Sequence, residues 1–121
     1  MLLLLLPPKI NTRKKKMYKY NAKLIRVIDG DTIDALIDLG FDVWIKKRIR
    51  LYGINTPETR TRDLEEKKAG LAAEERLIAL LWESDNEFVL ESHGVGKYGR
   101  CLGVLFIGET NINTLLLSEG L

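Results

Sequence analysis

Two neighbouring segments alternate apolar and polar residues so regularly that they leave little choice of backbone. Over residues 32–39, Ile33, Ala35 and Ile37 fall on one side and Asp34 and Asp38 on the other. Over residues 43–51, Val43, Ile45, Ile49 and Leu51 alternate with Trp44, Lys46, Arg48 and Arg50. A period of two belongs to a strand, whose successive side chains point to opposite faces. The same period sets Arg48 and Arg50 together on the face opposite the aliphatic row. "LGFD" turns one segment into the other, and "DGD" joins the first to residues 18–28, where Leu24, Ile25, Val27 and Ile28 favour strand. Three short strands with tight turns make a meander.

After Pro57 the pattern becomes helical. Asp63 with Glu66 three residues later resembles a capping box, and Leu71, Ile78 and Leu81 follow at helical spacing. Gly70 costs roughly 1 kcal/mol inside a helix, which restricts the firm part to residues 71–83. A fourth strand is expected over 87–92, then the loop "HGVGKYG", then a fifth strand over 100–107. Asn111 is placed to cap a short last helix over 112–118. The fold class predicted is mainly β with α: a five-stranded Greek-key barrel of the OB type, one principal helix and a short C-terminal helix. Such barrels have a record of holding oligonucleotides, but a fold alone does not decide function.

The 121 residues suit a single domain, and the charge is unevenly spread. Residues 1–16 hold five basic side chains and no acid, which leaves the rest with fourteen bases against seventeen acids. The folded part, at −3, must therefore meet any polyanion through a local site and not a global basic surface. Residues 1–17 read as a leader or disordered basic tail. "MLLLLLPP" is too short for the roughly 7–15-residue apolar region of a signal peptide, and its positive charges follow the run. It is also far short of the about 20 apolar residues of a membrane span. A cytoplasmic, monomeric protein without stable membrane association is expected, with a phage-infected host as one setting.

Several motifs fail on inspection. Cys101 is the only cysteine, which excludes an internal disulfide, and no Cys/His set exists for zinc; its apolar neighbours make it a core filler. "GVGKYG" matches a dinucleotide fingerprint, but "RCLGVLFIG" after it is strand, where a phosphate site needs a helix N-terminus. An EF-hand counted from Asp29 would put Ile33, Asp34 and Gly40 where it needs an oxygen ligand, a glycine and a glutamate. His93, the only histidine, reads as a loop or strand-end residue and not a base.

Three segments remain that propensity explains poorly: "IDGDT", "RIRLYGINTPET" and "GKYGR". Each lies at a strand end, and strand ends of a small barrel can converge on one rim. Hydrolysis of a phosphodiester needs a hard cation on oxygen ligands, a carboxylate to take a proton from water, and guanidiniums for the extra negative charge at phosphorus. Asp31, Glu58, Arg50 and Arg100 supply each part, and Pro57 stiffens the corner that aims Glu58.

"VIDGDTI", "RIRLYGINTPET" and "GKYGRCLGVLF", in this order and spacing, resemble the staphylococcal nuclease (thermonuclease) family from about Tyr18 to Leu121. The resemblance implies an OB-fold nuclease domain over residues 18–121 and calcium-dependent, sugar-nonspecific cleavage of DNA and RNA, leaving 3′-phosphate ends. It implies Asp31 as a calcium ligand, the Thr56 carbonyl as another, and Asp29 as a nearby acid. Glu58 would be the general base or a water-orienting carboxylate, Arg50 and Arg100 would contact the scissile phosphate, and Lys97 and Tyr98 would line the phosphate pocket. Arg48 joins the nucleic-acid-binding set. Two departures stand out. Asn55 occupies a position where well-known members have aspartate, which costs the metal one formal charge. "NTLLLSEGL" also stops where members continue into further helical sequence. The alternative reading is a non-catalytic OB module that grips single strands. Glu58 weighs against it, since a pure binder has no use for an acid beside bound phosphate.

Overall fold

The alternating segments pair as their period demands. In the computed structural model, which describes residues 18–96 and 99–121, β1 (Tyr18–Asp29), β2 (Thr32–Asp38) and β3 (Trp44–Leu51) form an antiparallel meander. Its register sets Arg50 opposite Thr32, and Asp34 opposite both Arg26 and Arg48. β4 (Glu87–Val95) returns beside β1, and β5 (Cys101–Ile107) beside β4. Parallel pairing of Ile49 with Cys101 and Leu51 with Gly103 joins β3 to β5 and closes the ring. The five strands thus form the expected OB-type barrel. A two-residue β6 (Thr110–Asn111), not foreseen in the sequence, adds to β5 and leads into α2 (Ile112–Ser118).

The inward row of the meander became core: Ile33, Ala35, Ile49 and Leu51 are wholly buried. Leu77 and Leu81 of α1 (Leu64–Trp82) and Ile112 and Leu116 of α2 close over them. Asn113 fastens the barrel's seam from inside. Its Oδ1 accepts the Leu105 N–H (3.1 Å), and its Nδ2 donates to the carbonyls of Tyr52 (2.8 Å) and Gly103 (3.0 Å). These bonds tie the exit of β3 to β5, so the loop that follows Leu51 leaves from a fixed point.

The helix departs from expectation in three ways. Asp63 caps it, accepting the N–H groups of Glu65 and Glu66, but Glu66 makes no return bond and instead accepts from the Thr61 hydroxyl. The helix also runs unbroken through Gly70 from Leu64 onward. Of the three residues at helical spacing, Leu81 is wholly buried but Leu71 and Ile78 are exposed, and the buried face is Gly70, Ala73, Leu77, Leu80 and Leu81. Small residues take the inward side only in its first half, at Gly70 and Ala73, where the helix lies against backbone; leucines take it beyond.

Other expectations resolve simply. β4 extends to Val95, so His93 sits within a strand, stacked on Tyr52 at 4.5 Å and bonded to Glu91 at 2.8 Å. Cys101 is half-buried against the core. The leader assigned to residues 1–17 lies outside the described residues, as do Lys97 and Tyr98. Among the described residues no helix is long and apolar enough to cross a membrane.

Candidate active site

Two chain corners meet on one rim of the barrel because glycine lets α1 approach both. A Cβ on Gly30, in the turn between β1 and β2, would lie 2.6 Å from the Ala73 Cβ and 3.0 Å from the Thr56 Oγ1. A Cβ on Gly70 would lie 2.7 Å from the Glu58 carbonyl oxygen and 2.8 Å from that of Pro57. Neither site has room for a side chain. Hydrogen bonds then bind corner to corner. The Thr56 N–H donates to Asp31 Oδ2 (3.1 Å), and the Thr59 hydroxyl donates to Asp29 Oδ1 (2.7 Å). Asp31 Oδ1 also accepts from the Thr32 hydroxyl (2.9 Å).

The cleft so formed holds about 230 Å³. Of its lining residues Asp31 and Thr56 are buried, while Asn55 and Glu58 are exposed. Arg50 arrives from the end of β3, opposite Thr32. Its Nη2 donates to Asn55 Oδ1 (3.1 Å) and lies 3.6 Å from Asp31 Oδ2. Arg100, at the approach to β5, lines the same cleft, as does Asp29. The seven residues Asp29, Asp31, Arg50, Asn55, Thr56, Glu58 and Arg100 are therefore brought together. Arg48 is not. It shares a strand face with Arg50, but its Nε and Nη2 donate to Asp34 (2.9 and 3.3 Å), and it lines a separate neighbouring cleft.

Whether these residues suit a cation can be judged from their donors. Asp31 offers a carboxylate, Asn55 an amide oxygen and Thr56 a carbonyl, all hard oxygen donors of the kind calcium or magnesium takes. The Thr56 hydroxyl is buried against the Gly30 turn without a hydrogen-bond partner. Carboxylates are scarce, however: among the described residues no three His, Cys, Asp or Glu side chains cluster to hold a metal. The set fits a hard cation held through mixed neutral and anionic oxygens.

One nearby acid escaped the sequence reading. Glu74 of α1 is partly buried, and burial, then the charges of Asp29 and Glu75, hold its carboxyl above the usual carboxylate range. Nothing in its helical context marks it, because its neighbour Asp29 is distant in sequence.

Fold and site together define an OB barrel whose rim presents oxygen donors, a carboxylate and two guanidiniums in one cleft. Residues 48–121 match the family described as staphylococcal nuclease homologue, and the chain belongs to that family. It is 31% identical over 111 residues to a protein of Shigella flexneri named micrococcal nuclease, covering 84% of this chain and 56% of that one. It is 36% identical over 97 residues to the thermonuclease of Staphylococcus intermedius, covering 79% and 54%. It is 30% identical over 99 residues to the thermonuclease of Staphylococcus hyicus, covering 82% and 56%. The chain thus spans little more than half the length of these relatives.

Proposed function

We propose that the chain is a nuclease that hydrolyses phosphodiester bonds of DNA and RNA in a calcium-dependent reaction, leaving 3′-phosphate ends. The observation that carries this reading is the convergence of Glu58, Arg50 and Arg100 with the oxygen donors of Asp31, Asn55 and Thr56 in one cleft. Calcium would be held by the Asp31 carboxylate, the Asn55 amide oxygen and the Thr56 carbonyl, and would supply Lewis-acid polarisation of a non-bridging phosphate oxygen. Arg50 and Arg100 clamp the phosphate, because their forked N–H groups fit its oxygens and gain strength as charge grows at phosphorus. Glu58 takes a proton from the attacking water. The new bond joins water oxygen to phosphorus, the bond to the 5′ oxygen breaks, and that oxygen takes a proton from solvent. Asp29 and Asp31 also keep the Glu58 corner in place through Thr59 and Thr56.

The test is cleavage of denatured DNA with calcium, then with chelator, for this chain and for Glu58→Gln, with the product ends mapped. Calcium-dependent cutting that disappears in Glu58→Gln and leaves 3′-phosphates is expected. Tight binding of DNA without cutting at any calcium concentration would replace this reading with the single-strand-binding module.

A further inference from the structure

Beside the active cleft lies a second, wider one of about 620 Å³, and its chemistry is almost wholly cationic. Arg26, Lys46, Lys47, Arg48 and Arg100 line it, against one carboxylate, Asp34. Arg100 lines both clefts, so they adjoin. A domain whose folded part carries net negative charge has concentrated positive charge here, and that local concentration needs a reason.

The register supplies it. Lys46, Arg48 and Arg50 occupy alternate positions of β3, on one face, so their Cα atoms recur at about 7 Å. That repeat is close to the spacing of successive phosphates along an extended nucleic-acid strand. Arg50 marks the active cleft, and Arg48 and Lys46 lead away from it. Arg26 reaches the row from β1, through Asp34. Asp34 is only 3% exposed, and it accepts from Arg26 Nε (3.1 Å) and from Arg48 Nε and Nη2 (2.9 and 3.3 Å). One buried anion thus orients two guanidiniums and leaves the trio net positive. The N–H groups of each fork that Asp34 does not use remain for another acceptor.

We infer that this second cleft is a track for the single strand on one side of the cut, where Lys46, Arg48 and Arg26 neutralise the phosphates next to the scissile one. The inference rests on the nuclease reading for the place of the scissile phosphate, and deepens it: the substrate class is a polynucleotide rather than a dinucleotide. Backbone contacts of this kind carry no base preference, so the track is sequence-blind. It also accounts for Arg48, which lies outside the active cleft.

The test measures binding of a labelled thymidine decamer and of a thymidine dinucleotide in chelator, across a salt series, for this chain and for Arg26→Gln/Lys46→Gln. Each lost phosphate contact on a single strand lowers the slope of log affinity against log salt by about 0.7, so the double variant should lose about 1.4. Its decamer affinity should fall roughly tenfold at low salt while dinucleotide affinity stays within about twofold. Arg26→Lys/Lys46→Arg, which keeps both charges, should retain the decamer affinity, and thermal melts of all variants confirm that they fold. An unchanged salt slope, or equal losses on decamer and dinucleotide, would overturn the track. So would equal retention of an acidic polypeptide of matched length. Cutting of denatured DNA with no dependence on strand length would overturn the track and leave the nuclease reading standing. The expected length dependence in a chain that cuts nothing would support the track and remove that reading.

Discussion

Gly70 gives the sharpest test of how the cleft is held, because two general effects predict opposite signs for Gly70→Ala. Inside a helix, alanine is favoured over glycine by about 0.5–1 kcal/mol. In this structure the new Cβ would lie 2.7 Å from the Glu58 carbonyl oxygen and 2.8 Å from both the Glu58 carbonyl carbon and the Pro57 oxygen. These are backbone atoms, so no rotamer change can relieve the contact. Either the helix moves out or the corner moves away. Overpacking of this kind costs typically about 1–3 kcal/mol. The net is a destabilisation of roughly 0–2 kcal/mol, which in a domain of this size lowers the melting temperature by up to about 10 °C. Activity should suffer more than stability does. The displaced corner carries Glu58, and a misplacement near 1 Å can cost about a hundredfold in rate. Denaturant melts and initial rates on denatured DNA with calcium measure both. A variant more stable by the full helix-propensity gain, and cutting at the parent rate, would refute the claim that α1 positions Glu58 through this contact.

Three further outcomes follow from the same geometry. Asn55→Asp adds a carboxylate to the proposed ligand set, and a unit charge at such range is worth on the order of 1–4 kcal/mol; calorimetry should show calcium bound at least about fivefold tighter, and unchanged or weaker binding would count against these ligands. Asn113→Ala leaves the Leu105 N–H and the Tyr52 carbonyl without their side-chain partner, so it should cost about 2–4 kcal/mol in urea melts, and a loss below 1 kcal/mol would show that the seam does not depend on it. Asp34 is held below the usual carboxylate value by hydrogen bonding to Arg48 foremost, partly opposed by its burial, and then by Arg26. Its folded pKa is the lower one, so its stabilisation is present above the unfolded value of 3.8 and is lost as pH falls from there through the folded value. Urea melts of Asp34→Asn should therefore show less loss on acidification than the parent, and parallel acid limbs would contradict the assignment.

What could be read from the sequence follows the kind of interaction involved. The strands were legible because Ile33, Ala35, Ile37, Ile49 and Leu51 satisfy a period that only a sheet serves, and turn residues mark its corners. The α2 cap at Asn111 was legible because capping is local: its Oδ1 accepts from Thr114 N–H three residues on. The buried face of α1 was not. Helical spacing finds the buried Leu81 but also the exposed Leu71 and Ile78, and it passes over Gly70 and Ala73, which the helix needs where backbone from two loops presses against it. A glycine read as a helix weakness was a contact requirement. Arg48 shows the same limit in a sheet. Periodicity fixed its face, but only the register reveals that Asp34 stands opposite and binds it. Asn113 and Glu74 act through residues far away in the chain, and no local pattern signals either.

On the proposed reading the site's acids carry two duties, and this constrains how the chain can change. Asp31 accepts the Thr56 N–H with one carboxylate oxygen while facing Arg50 across 3.6 Å, and Asp29 accepts from Thr59. Removing either carboxylate loosens the loop that carries Glu58 as well as altering charge in the cleft. Loss of activity in Asp31→Ala would thus be ambiguous on its own. Asp31→Asn separates the two duties, because its amide oxygen can still accept from Thr56 while the charge is gone. If Asp31→Asn keeps the parent's melting temperature but loses calcium binding, the carboxylate's charge serves the ion and its hydrogen bond serves the loop. If instead it melts as low as Asp31→Ala, the charge facing Arg50 holds the corner together, and the ligand role of Asp31 loses its support.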